Sequence, residues 1–147
     1  MNTTESTEEG HRHFIFLAED DLDDQELLIE TINDLDPLVC VKAINNGKKA
    51  IQYLQGLSEK EVPCLIVVDY NLPELSGAEV LESLQPLHQF TNVTKIVWST
   101  SNSPVFEKIC IALGAKAYLV KPNDISGIER MAHLLLEFCK KKRRREM

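Results

Sequence analysis

The sequence predicts an α/β fold, a doubly wound parallel sheet built from five consecutive strand–helix units. Three observations predict it. Short apolar runs alternate with helix-periodic segments from residue 14 to residue 142. The runs FIFLAE (14–19), CLIVVDY (64–70) and TKIVWST (94–100) are apolar almost to their ends and close on polar residues. Strands covered by helices on both faces have this character. Finally, 147 residues, 44% hydrophobic and 27% charged, suit one domain with its own core.

Taken in order, FIFLAE is the first strand. DDQELLIETINDL (23–35) carries apolar residues at 27, 28, 32 and 35, a helical spacing. LVCVKAI (38–44) is β-rich, and GKKAIQYLQG (47–56) is a helix bounded by glycines. CLIVVDY is the third strand. SGAEVLESLQPL (76–87) has helical spacing, with Pro86 near its end. TKIVWST is the fourth strand. SPVFEKICIALG (103–114) places Pro104 in a first helical turn. AKAYLVKP (115–122) is a strand stopped by Pro122, and DISGIERMAHLLLEFCKKK (124–142) is a long amphipathic helix. Residues 1–12 are low in hydrophobicity and are expected to be disordered. The domain proper is expected over 13–140 and a basic C-terminal tail over 141–147.

Charge and composition exclude several classes. The net charge is −7, yet the last eight residues, KKKRRREM, carry +5, so the other 139 carry −12. An acidic body argues against direct DNA binding. The basic end is read as a solvated helix terminus. No apolar run reaches the roughly 20 residues needed to cross a bilayer, and the first residues carry no signal-peptide pattern. No membrane association and a cytoplasmic location are the expectations. Cys40, Cys64, Cys110 and Cys139 form no CxxC pair and are read as reduced, packed thiols, without a disulfide or metal. His11 and His13 lack further ligands nearby and are not read as a metal site.

In open parallel sheets, sites form at the carboxyl ends of the strands. The polar residues there are Glu19 and Asp20, Asp69, Ser99, and Lys121. Converging carboxylates repel one another unless a hard cation sits among them, and Mg²⁺ suits one or two protein carboxylates plus a phosphate. A lysine and a hydroxyl beside them complete a phosphoryl-binding set. Asp69 is then a candidate nucleophile.

These residues carry a resemblance. AED (18–20), VVDYNLPELSG (67–77), WSTS (98–101) and AYLVKP (117–122) together resemble the receiver domain of two-component response regulators, of the stand-alone, chemotaxis-regulator-like type. The resemblance covers about residues 13–140. It implies a flavodoxin-like fold with strand order 2-1-3-4-5. Asp69 is implied as the phosphoacceptor, and Glu19, Asp20, Asp69 and Asn71 as the Mg²⁺ ligands, Asn71 through its carbonyl. Ser99, Thr100 and Lys121 are implied for phosphoryl binding, Ser99 and Tyr118 as the switch pair, and Pro122 as a cis proline. The implied phosphoryl donor is a histidine kinase or phosphotransfer protein. A downstream protein target, or a second copy of the chain, is expected on the 103–140 face. No enzymatic turnover is expected beyond the domain's own phosphorylation and dephosphorylation. The acids in EDDLDDQELL are also similar to those of regulators associated with phytochrome-type kinases.

The remaining acids divide by role. Asp21 fits a helix N-cap, and Asp23 and Asp24 fall in the first turn, where negative charge meets the positive helix end. Trp98, bulkier than the aliphatic residue usual in the resembled family, is read as core packing. Two rival readings use the same fold. A small-ester phosphatase would use Asp69 as nucleophile, but it needs a second acid two residues on, where Asn71 stands. A phosphorylation-independent adaptor would not require Asp69 and Lys121, and both are present.

Overall fold

The computed structural model describes residues 14–146, with side chains up to residue 140. The expectations for residues 1–12, and those for His11 and His13, lie outside the described residues. Among the described residues, five strands alternate with five helices: β1 Phe14–Ala18, α1 Leu22–Leu35, β2 Cys40–Ile44, α2 Gly47–Gln55, β3 Leu65–Asp69, α3 Gly77–Leu84, β4 Thr94–Ser99, α4 Pro104–Ala112, β5 Ala117–Val120 and α5 Ile125–Glu146. All strand pairs are parallel, and their order is β2-β1-β3-β4-β5.

The order explains the burial. β1 and β3 are wholly buried, whereas the edge strand β2 is half open. One face of the sheet carries α1 and α5, through Leu28, Ile32, Met131 and Leu135 packed on Ile15, Val67 and Trp98. The opposite face carries α2 and α3, through Ala50, Leu54, Val80 and Leu84 packed on Phe16, Ile66 and Val68. α4 contributes Cys110 to a smaller cluster with Val97 and Leu81. Alternate strand residues therefore serve opposite faces, the period of two that a covered strand imposes.

The helix starts are set by side chains that accept otherwise orphaned backbone N–H groups. Asp21 accepts from the Asp24 N–H at 3.0 Å, as its sequence position predicts. Asn46 and Ser103 cap α2 and α4, the latter with Pro104 in the first turn. Ser76 and Glu79 form a reciprocal capping box on α3. α3 ends at Leu84, two residues before Pro86, and a short 3₁₀ turn, His88–Phe90, follows. α5 continues as helix through Glu146, so the basic segment 141–146 extends the last helix of the domain.

One reading of the cysteines is corrected. Cys64 and Cys139 are joined in a disulfide across 75 residues of sequence, while Cys40 and Cys110 are free thiols. The pairing follows from packing, because α5 lies on the sheet with Cys139 over the residue that precedes β3, at a Cα separation of 4.9 Å. That separation is within the range a disulfide spans.

Candidate functional site

The carboxyl ends of β1, β3, β4 and β5 bring Glu19, Asp69, Ser99 and Lys121 to one edge of the sheet. Glu19, Asp69 and Ser99 are the three buried polar residues among those described. Gly77 makes room for this convergence. A side chain there would meet the Asp69 carbonyl oxygen at 2.5 Å, so only glycine lets α3 start this close to the end of β3.

Lys121 is the hub. Its Nζ lies 2.8 Å from Glu19 Oε1, 2.8 Å from Asp24 Oδ2 and 3.0 Å from Asp69 Oδ2. It donates hydrogen bonds to Asp24 and Asp69. The contact with Glu19 lacks hydrogen-bond geometry, so buried Oε1 has a nearby charge but no hydrogen-bond donor among the described residues. Burial by itself disfavours the ammonium, yet the hydrogen bonds to Asp24 and Asp69 and the close Glu19 carboxylate outweigh it and raise the Lys121 pKa above its ordinary value. Burial pushes Glu19 the other way for an acid, up to about 8, despite the lowering effect of Lys121 and of the Asp21 N–H.

Each Asp69 oxygen has one fixed partner. Oδ1 accepts from the Asn71 N–H at 3.0 Å and Oδ2 from Lys121. The carboxylate is thereby oriented as well as buried. Glu19, Asp20 and Asp69 each offer an oxygen within 4.8 Å of the others, and Asp20 is exposed at the rim. All three are hard oxygen ligands, and Glu19 Oε1 is a buried acceptor with no hydrogen-bond donor among the described residues. This set fits Mg²⁺, which takes oxygen ligands and retains water on its open side.

The other expected residues divide. The Ser99 hydroxyl oxygen accepts from the Ser101 N–H at 3.1 Å, and its carbonyl accepts from the Lys121 N–H at 2.7 Å. Thr100 is exposed, and so is Asn71 at the pocket rim. Tyr118 is half-buried and donates through its hydroxyl to the Ser101 carbonyl at 2.7 Å, which links it to the loop that follows Ser99. The cis proline is corrected, since every described peptide bond is trans, Lys121–Pro122 included. Trans is the lower-energy form for X–Pro bonds, and in this geometry the Lys121 ammonium already reaches the carboxylates.

Two partnerships have no counterpart in the sequence reading. Asp24, assigned there to the helix dipole alone, also pairs with Lys121, 97 residues away. Trp98 is buried in the core as expected, and Lys121 Nζ also sits 4.8 Å from the centroid of its ring. Both contacts depend on the crossing of distant elements, and no local pattern marks them.

A family model described as the response regulator receiver domain matches residues 15–133. The chain belongs to that family. Among curated relatives, it is 31% identical over 94 residues to the two-component response regulator ORR1 of Oryza sativa subsp. japonica, covering 62% of this chain and 40% of that protein. It is 32% identical over 91 residues to ORR11 of Oryza sativa subsp. indica, covering 62% of this chain and 60% of that protein. The receiver chain thus spans about half the length of the curated regulators it matches. Among solved structures it is similar to the phosphorylated cyanobacterial phytochrome response regulator RcpA, with TM-score 0.78, 27% identity, and coverage of 86% and 93% of the two chains. The Mn²⁺-bound form of response regulator Rcp1 superposes with TM-score 0.75 at 26% identity, with the same coverage. This is a signalling family of two-component systems, and the flavodoxin-like architecture expected from the sequence is the one observed. No described helix is long and apolar enough to cross a membrane.

Proposed function

We propose that this receiver domain is a cytoplasmic phosphorylation switch whose phosphoacceptor is Asp69. One observation carries the reading: a buried, oriented carboxylate that shares its pocket with a lysine and two further acids. Phosphoryl transfer asks a protein for positioning and charge neutralisation more than for acid–base chemistry. The donor is the phosphohistidine of a histidine kinase or phosphotransfer protein. Its N–P bond breaks as an Asp69 oxygen forms the new O–P bond, and the donor imidazole leaves with the electron pair.

Glu19, Asp20, Asp69 and the Asn71 carbonyl would hold Mg²⁺, which supplies positive charge to the phosphoryl oxygens. The phosphorylated state of RcpA and the bound Mn²⁺ of Rcp1 support this assignment for a similar fold. Lys121, already hydrogen-bonded to Asp69, neutralises the rest of the added charge. The Ser99 hydroxyl, with the Thr100 backbone beside it, turns toward the phosphoryl group. That movement pulls the 99–101 loop, and Tyr118 follows through its hydrogen bond to the Ser101 carbonyl. The surface over 103–140 then changes, and there the domain engages its downstream protein or a second copy. On this reading the domain extends over 13–140 and turns over no external substrate.

The test uses Trp98, the chain's one tryptophan, as reporter. Beryllofluoride with Mg²⁺ mimics the phosphoryl group and is expected to change Trp98 fluorescence in wild type but not in Asp69→Ala. Identical traces from the two proteins would refute the reading. Steady turnover of simple phosphate esters would favour the phosphatase alternative instead.

A further inference from the structure

We propose that Trp98 is a positioning residue for Lys121: its indole face is the seat that holds the ammonium beside Asp69. The inference rests on the phosphoacceptor reading for its consequence, though the seat itself does not.

Three observations converge. In the β3–β4 ladder Asp69 is paired directly with Trp98. Residues so paired in parallel strands face the same side, about 4.8 Å apart. The side chains of Leu65, Val67 and Trp98 confirm which side, since all join the core beneath α1 and α5. The indole is therefore next to the phosphoacceptor carboxylate. Secondly, Lys121 Nζ lies 4.8 Å from the Trp98 ring centroid while it contacts Asp69 at 3.0 Å. An ammonium within about 6 Å of an indole centroid is attracted by the ring quadrupole, most strongly where water is excluded. Lys121 is only 10% exposed at its side chain, so the attraction acts with little screening.

Thirdly, no described residue holds the ring by a hydrogen bond. Trp98 Nε1 is buried and has no acceptor among the described residues. A buried indole N–H ordinarily finds a partner, and leaving one unmet is destabilising. Phenylalanine or leucine would fill this part of the core without that penalty. A tryptophan here makes physical sense if its face contributes something, and what meets that face is the lysine of the pocket.

The seat answers a problem that the pocket poses. Lys121 has competing carboxylate partners, and half-buried Asp24 lies on the solvent side of the site. An ammonium drawn toward Asp24 would leave Asp69. A neutral, polarisable surface beside Asp69 holds the charge there without adding a competing anion, and it stays in place when the charge on Asp69 changes.

The experiment compares wild type with Trp98→Phe and Trp98→Leu, each first shown to be folded by its NMR dispersion. In wild type the Lys121 ε-methylene protons are expected upfield through the indole ring current. Trp98→Phe retains part of that shift and Trp98→Leu abolishes it. With Mg²⁺ present, beryllofluoride affinity is expected to fall by about three- to thirtyfold in Trp98→Leu and to recover largely in Trp98→Phe. Lys121 resonances unmoved by Trp98→Leu would overturn the seat. Equal beryllofluoride affinity in all three proteins would overturn its positioning role. A wild type that ignores beryllofluoride overturns the phosphoacceptor reading, and the Lys121 resonances then uphold or overturn the seat by themselves.

Discussion

Replacing Lys121 with methionine should destabilise the metal-free protein strongly at alkaline pH and weakly in acid. The substitution keeps the stem's length but removes the charge that faces Glu19, Asp24 and Asp69 at 2.8, 2.8 and 3.0 Å. Breaking a buried ion pair from one side costs about 3–5 kcal/mol, because the other charge stays buried without compensation. Here the lower end applies. Burial already pushes Glu19 up to about 8, so near neutrality it escapes by protonation, and Asp24 is half in water. Above about pH 8 Glu19 is ionised as well and shares the buried pocket with Asp69 without a compensating charge, for a deficit of about 3 kcal/mol.

The sign with pH follows from linkage. In the variant, Glu19 in the folded state holds its proton to higher pH than in the unfolded chain. The folded state then binds more protons, and stability falls as pH rises toward the folded Glu19 value, about 8 even before the lysine is lost. Wild-type Lys121 works in the same sense: its raised pKa contributes stability that is complete below its unfolded value and fades only as pH passes the folded one. Urea unfolding in EDTA, at about pH 8.5 and about pH 5.5, measures both deficits. The expected result is about 3 kcal/mol at the higher pH and less than half of that at the lower. Equal deficits at both pH values, or less than about 1 kcal/mol at the higher, would refute this electrostatic account of the pocket.

Other consequences can be measured separately. Reducing the Cys64–Cys139 disulfide opens a covalent loop of 75 residues, which in the chain-entropy account lowers stability by about 4.5 kcal/mol. Urea midpoints with and without a reductant should differ accordingly, and Cys64→Ser should be insensitive to reductant. The Cys110 thiol is buried and pushed up to about 11, whereas Cys40 is an exposed thiol. Iodoacetamide at about pH 8 should label Cys40 and spare Cys110 in the folded protein, as peptide mass mapping would show. Asp20→Asn should weaken Mg²⁺ binding at least about tenfold by calorimetric titration, while Asp23→Asn, which alters only the exposed first turn of α1, should leave it nearly unchanged.

Much of this structure was legible in the residue order because it depends on local pattern. β1 and β3 are continuous apolar runs, and their burial on both faces is what such runs signify. Asp21 stands just before a helix-periodic stretch and caps it. The pocket residues were legible for a topological reason: each terminates a strand of a parallel sheet, and parallel strands end on one edge. The disulfide was not legible. Cys64 and Cys139 meet only because α5 lies across the sheet, and nothing near either residue announces the other. The same holds for Asp24. Its sequence position explains the helix dipole, and its bond to Lys121 exists only once α1 and the end of β5 share an edge. Trp98 was legible as core by its apolar neighbours, but the ammonium over its ring comes from a different strand.

The phosphoacceptor assignment is tested most directly by intact-mass spectrometry after incubation with Mg²⁺ and acetyl phosphate. Wild type should gain the mass of one phosphoryl group, lose it on treatment with hydroxylamine, and yield the modified peptide that contains Asp69. Asp69→Ala should gain none. A wild type that gains no mass, or an Asp69→Ala variant that gains it equally, would contradict the account.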